Sequence, residues 1–187
     1  MECGNSFISV RIAGYERKLY DATDDPGFVL SLMDIITGSV EIKLPGIVIR
    51  GEMNKFPRFP AGIDRKAKKV TTEQSNTSVV IGNELILKIY RKLIDSDNPD
   101  VIIPTMLWQN TDFRDLPMPI GKLELAGQNK LLLASLSQYL SDSIDGWSRF
   151  VTYLREGVKS GGSAERLLLL EDAEKLGSLT GRMHIAL

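Results

Sequence analysis

The chain has 187 residues, 43% of them hydrophobic and 25% charged, and its net charge is -1. Such a chain folds and buries a sizeable core without covalent staples, and its charge balance argues against nucleic acid or an anionic membrane as partner. A single cysteine, Cys3, and a single histidine, His184, exclude an intrachain disulfide and a Cys/His zinc site. No apolar run approaches the roughly 20 residues that span a bilayer, and the acidic start Met1-Glu2-Cys3-Gly4 is unlike a signal peptide, so the cytoplasm is the expected location.

Phe7–Ile12 alternates as a strand does and ends at Ala13-Gly14. Asp25-Pro26 reads as a helix start, followed by the helical apolar set Phe28, Leu30, Leu32, Ile35 and Ile36. Strands around Val40–Leu44 and Ile47–Glu52 flank a Pro45-Gly46 turn. Residues 1–55 are therefore expected to form a small antiparallel sheet with one packed helix. Residues 54–72, rich in Pro, Gly and Lys, read as a connection in which Lys66, Lys68 and Lys69 are solvated. Thr77–Ile81 and Leu85–Arg91 then form a hairpin about Gly82-Asn83. The turn-rich Asp95–Pro99 leads into Val101–Leu107, and Pro119–Leu125 and Leu131–Ser137 are two further strands. From about Asp145 the pattern is helical, first near Gly146–Val158 and then, after a break at Gly161-Gly162-Ser163, from Ala164 onward. The last helix carries Leu169, Ala173, Leu176, Met183 and Leu187 on one face. The fold class is α+β.

Handling the phosphates of a nucleotide takes backbone N–H donors laid over them and a positioned lysine to neutralise their charge. Ser75-Asn76-Thr77-Ser78 supplies a small polar turn, and Lys88 follows on the returning strand among Leu85, Ile86, Leu87 and Ile89. A lysine in an apolar strand is costly unless it meets an anion, a carboxylate or solvent. Residues 73–93, E-Q-S-N-T-S-V-V-I-G-N-E-L-I-L-K-I-Y-R-K-L, resemble the corresponding segment of bacterial maltokinases, in the aminoglycoside-phosphotransferase-like branch of the protein-kinase fold. Asp97-Asn98-Pro99-Asp100 resembles the start of that family's first lobe helix, and Leu131–Leu140, with Gln138-Tyr139, its hinge strand. Asp145-Gly146-Trp147 resembles the motif after the hinge, and Leu176–Leu187 the helix that precedes the catalytic half.

The resemblance implies an N-terminal cap subdomain over residues 1–55 and a kinase-like N-lobe antiparallel sheet with C-terminal helices over 56–187. It implies that Ser75, Asn76, Thr77 and Ser78 lie over the phosphates of ATP, that Lys88 pairs with them, and that backbone groups near Gln138 and Tyr139 meet the adenine. Maltokinases use ATP to convert maltose to maltose 1-phosphate. The family's catalytic aspartate and metal ligands would follow residue 187. The chain is thus expected to hold no catalytic residue and no metal ligand, to bind Mg2+ only when a separate catalytic lobe completes the site, and to be inactive alone. Asp112-Phe113 precedes the hinge and reads as a polar loop.

The helix glutamate that pairs with the lysine in such kinases would fall at Ile102, and Pro104 would disturb a helix at a cost of about 3 kcal/mol. Val101–Leu107 is therefore expected to be irregular, and Asp100, a possible substitute for the glutamate, to serve the helix dipole instead. Two function classes follow. One is a nucleotide-binding lobe that joins a separate catalytic lobe. The other is a non-catalytic interaction module or homodimer formed through the C-terminal helix, whose Leu167–Leu170 run is wider than one buried stripe needs.

Overall fold

The computed structural model describes residues 8–55, 62–72, 76–95, 97–127, 130–160 and 163–187. Strands β1 (Ile8–Ile12) and β2 (Tyr15–Leu19) form a hairpin of their own, and a short 3-10 turn at Ala22–Asp24 leads into α1 (Pro26–Thr37). Next come β3 (Glu41–Leu44), β4 (Ile47–Met53), β5 (Ala67–Thr72), β6 (Asn76–Ile81) and β7 (Leu85–Asp95). After α2 (Pro99–Asn110) come β8 (Pro119–Ala126) and β9 (Lys130–Gln138), then the helices α3 (Gly146–Ser160) and α4 (Ser163–Ala186). The α+β reading holds: seven strands make one antiparallel sheet in the order β3-β4-β8-β9-β7-β6-β5. Its β4–β8 pairing places β3 and β4, from the first 55 residues, in the same sheet as the later strands. Among the described residues no helix is long and apolar enough to cross a membrane.

Alternation along the strands gives the sheet two unlike faces. Val79, Ile81, Leu85, Leu87, Leu123, Ala134 and Leu136 are buried toward α1, which adds Val29, Met33 and Ile36. Of the expected set, Ile36 is buried and Leu30, Leu32 and Ile35 pack against the core, whereas Phe28 is 38% exposed and the stripe is completed by Val29 and Met33. Asp25 caps the helix through its side chain, which accepts from Gly27 N–H at 2.8 Å. Close packing of α1 depends on two glycines: a Cβ on Gly51 would lie 2.0 Å from Ile35 O, and one on Gly121 would lie 2.7 Å from Ile36 Cγ2.

Several local expectations are corrected. β2 was not expected, and β5 occupies part of the presumed connection, with Lys68 and Lys69 in a strand. Val101–Leu107 lies inside a regular helix, because the cap Asn98, whose side chain accepts from Asp100 N–H at 3.0 Å, and Pro99 in the first turn outweigh the one hydrogen bond lost at Pro104. Phe113 is 9% exposed, so Asp112-Phe113 is not simply a polar loop. On α4, Leu176 and Leu187 are each 54% exposed, and the expected face is not a buried one. The α3–α4 pair is held instead by Asp172, which accepts from Arg149 Nε and, at 2.9 Å, from Tyr153 OH.

The segment between β2 and α1 is fastened to the sheet by charge. Lys69 Nζ lies 2.7 Å from Asp24 Oδ1 and 3.7 Å from Asp21 Oδ2, and Arg91 pairs with Asp21. Burial opposes the charged form of Asp21, but hydrogen bonds from Thr23 and the pairing with Arg91 outweigh it and lower the carboxyl from 3.8 to about 2. Unfolded Asp21 therefore takes up a proton before the folded form does, and acid favours unfolding. The stabilisation, about 1 kcal/mol after discounting for solvent screening, is complete above about pH 5 and is lost as pH falls from about 4 to about 2. Urea midpoints for wild type and Asp21→Asn should differ clearly at about pH 6 and about half as much at about pH 3. A gap that is unchanged or wider in acid would contradict this assignment.

Candidate functional site

The face of the sheet turned away from α1 carries a polar row. Pairing sets Ser78 of β6 opposite Lys88 of β7, Lys88 opposite Ser135 of β9, Ser135 opposite Lys122 of β8, and Lys122 opposite Glu52 of β4. Paired residues of antiparallel strands share a face, so these five side chains stand side by side. At one end of the row, α2 closes over the sheet and leaves a cavity of about 520 Å³ lined by Ser78, Lys88, Tyr90, Asp100, Ser135 and Ser137, among others.

Lys88 is the cation of this cavity. Its Nζ lies 2.7 Å from Asp100 Oδ2 and 5.4 Å from the centre of the Tyr90 ring, a distance at which the ring face attracts a cation. Burial is the main reason the Tyr90 phenol is pushed above its usual range, and its hydrogen bond with Ser135 Oγ at 3.2 Å counteracts this. Asp100 is placed by the cap of α2: Asn98 and Pro99 start the helix above β7, and the second helical residue points back at the lysine. The expected partner position, Ile102, is 41% exposed, and the carboxylate comes from one half-turn earlier. Asp100 thus pairs with Lys88 as well as standing at the positive end of the helix, which corrects the expectation that it serves the dipole instead.

The other sequence-predicted residues are dispersed. Ser75 lies outside the described residues. Asn76, Thr77 and Ser78 belong to β6, so the expected turn is strand from Asn76 onward. Ser78 lines the cavity, whereas Thr77 is fully buried on the opposite face and its hydroxyl accepts from Arg91 Nε at 2.7 Å. Gln138 and Tyr139 are not among the cavity's lining residues. Gln138 N–H donates to Met118 O at 2.9 Å, and Tyr139 N–H donates to Glu84 O at 2.7 Å. Sequence reasoning missed Tyr90 and Ser135; the period of two that selects Lys88 would have placed both on its face. Lys122 is engaged elsewhere on the row, 2.6 Å from the buried Glu124. Among the described residues no cluster of three or more His, Cys, Asp or Glu could hold a metal.

No family model matches the chain. Over 121 residues, 63% of the chain, it is 32% identical to a glucosamine kinase of Streptacidiphilus jiangxiensis. Over 124 residues, 65% of the chain, it is 25% identical to a glucosamine kinase of Mycolicibacterium smegmatis. The matches span 27% and 30% of those proteins, so the chain covers under a third of either. Among solved structures, a glucosamine kinase in complex with glucosamine, ADP and inorganic phosphate superposes with a TM-score of 0.56 at 25% identity, over 96% of this chain and 39% of that one. A second crystal form of glucosamine kinase gives a TM-score of 0.59, over 96% of this chain and 42% of that one. The resemblance to maltokinases is therefore corrected: the relatives are glucosamine kinases. The similarity supports a kinase-like nucleotide-binding domain.

Proposed function

We propose that this chain is the nucleotide-holding part of an ATP-dependent sugar kinase of the glucosamine kinase type. The observation that carries the reading is Lys88, held 2.7 Å from Asp100 at a serine-lined cavity of about 520 Å³. Lys88 neutralises the phosphates of ATP, Ser78 and Ser135 offer hydroxyls beside it, and Asp100 orients the amine until the nucleotide arrives. Such an arrangement positions charge but does not activate a nucleophile, and phosphoryl transfer also needs an oriented acceptor and magnesium. In this reading a catalytic lobe supplies the base and the metal ligands, residues 1–55 act as a cap, and residues 56–187 form the nucleotide lobe. Glucosamine is the acceptor named in the solved relative, and we assign the same class of amino sugar to the complete enzyme.

Lysine footprinting tests this directly. Under reductive methylation with mass-spectrometric readout, saturating ATP should slow modification of Lys88 about tenfold, as occupancy near ten times the dissociation constant requires. Lys66, whose side chain is 87% exposed on another part of the surface, should react at an unchanged rate. Equal rates for Lys88 with and without millimolar ATP would overturn the reading.

A further inference from the structure

Thr77 interrupts an otherwise apolar face. It is fully buried on the α1 side of the sheet, while its neighbours Asn76 and Ser78 alternate to the side of Lys88. A valine would fill the same space without a hydroxyl to satisfy, so packing alone does not account for threonine here. Its hydroxyl ends a chain of charge-assisted contacts. Arg91 Nε donates to Thr77 Oγ1 at 2.7 Å and Arg91 Nη2 pairs with Asp21. Asp21 Oδ1 accepts from Thr23 N–H at 2.9 Å and from Thr23 Oγ1 at 2.7 Å. Lys69 Nζ completes the cluster, donating to Thr23 Oγ1 at 3.0 Å and to Asp24 Oδ1 at 2.7 Å.

The cluster sits where the ladders around β6 lose their regularity. The β7–β9 pairing shifts register between Ile89 and Ile94, the stretch of β7 that contains Arg91. The β5–β6 pairing shifts between Lys69 and Thr71, beside the other cation. β6 itself stays paired with β7 from Asn76 onward, but the β5 side and the ladder beyond β7 are irregular, and side-chain bonds to the segment between β2 and α1 brace this end of the sheet. We propose that Thr77, Arg91 and Asp21 are positioning residues: they form a latch that fixes the first residues of β6, so that Ser78 stands opposite Lys88, with Asn76 next to it on the same face opposite Tyr90, and both meet the phosphates. This rests on the nucleotide reading above, and it assigns Thr77 a role without contact to the ligand.

The test compares ATP with adenosine, which lacks the phosphates the latch serves. Affinities of the full chain are measured by saturation-transfer NMR, with thermal melting alongside, for wild type, Thr77→Val, Arg91→Gln and the conservative Thr77→Ser. Thr77→Val and Arg91→Gln should bind ATP about five- to tenfold more weakly, the scale of weakening a phosphate contact by the equivalent of one ordinary hydrogen bond. Adenosine affinity should stay within about twofold, and Thr77→Ser should restore ATP binding. Should either variant fail to fold, Asp21→Asn, which leaves Thr77 and Arg91 in place, should still weaken ATP about two- to threefold. A wild type that binds ATP no better than these variants, or variants that weaken ATP and adenosine alike, would overturn the latch and leave the nucleotide reading standing. A wild type that binds no ATP at all would remove both.

Discussion

Replacing Gly51 with alanine should destabilise the protein by about 3 kcal/mol or more, the largest stability effect expected of any single methyl group here. The Cβ of the alanine would fall 2.0 Å from Ile35 O, 2.5 Å from Ile35 C and 2.9 Å from Ile36 N. All three are backbone atoms of α1 and cannot swing aside as a side chain would. The helix itself must rise from β4, and doing so exposes Ile36, Met33 and Val29, which are 0%, 3% and 1% exposed. Gly177→Ala provides the contrast. Nothing lies within 4 Å of its added Cβ, so helix propensity alone predicts a gain of about 0.5–1 kcal/mol. Urea unfolding of both variants measures the difference, and a Gly51→Ala protein within about 1 kcal/mol of wild type would refute the contact argument.

The parts of the fold legible in the sequence are those decided by neighbours in the chain. The β6–β7 hairpin is one: alternating apolar residues flank Gly82-Asn83, and both turn residues adopt the positive φ, 61° and 58°, that such a turn needs. The start of α2 is another, announced by Asn98-Pro99. What escaped was set by distant partners. β5 looks like a solvated lysine loop because the residues that pair with Lys69, Asp21 and Asp24, lie more than forty positions earlier. β2, Tyr-Glu-Arg-Lys-Leu, is exposed throughout and carries no burial pattern to detect. Trp147, which composition alone would bury, is 80% exposed on α3. At the site, Lys88 stood out as a cation in an apolar strand and Asp100 as a candidate carboxylate, but their pairing did not. Asp100 reaches Lys88 only because α2 begins above β7, a relation that no spacing within the helix encodes. The family lay further out of reach, since residues 73–93, which carried the resemblance, do not by themselves separate maltokinases from the glucosamine kinases that the chain matches.

Lys88→Ala should then weaken ATP binding at least tenfold while scarcely affecting the fold. A charge-assisted contact to phosphate contributes about 1.5–3 kcal/mol, which is about ten- to more than a hundredfold in affinity. The ion pair it replaces contributes little to stability, because the Lys88 and Asp100 side chains are 34% and 56% exposed and exposed pairs contribute about 0–1 kcal/mol. Loss of the lysine also leaves Asp100 facing the incoming phosphates uncompensated, which adds repulsion to the lost attraction. The two effects act in the same direction and separate this variant from one that merely unfolds. Calorimetric titration of ATP into wild type and Lys88→Ala, with melting curves confirming that both are folded, measures the central assignment. Saturable binding to wild type that falls at least tenfold in the variant is the predicted result, and equal affinity in the two folded proteins would contradict it.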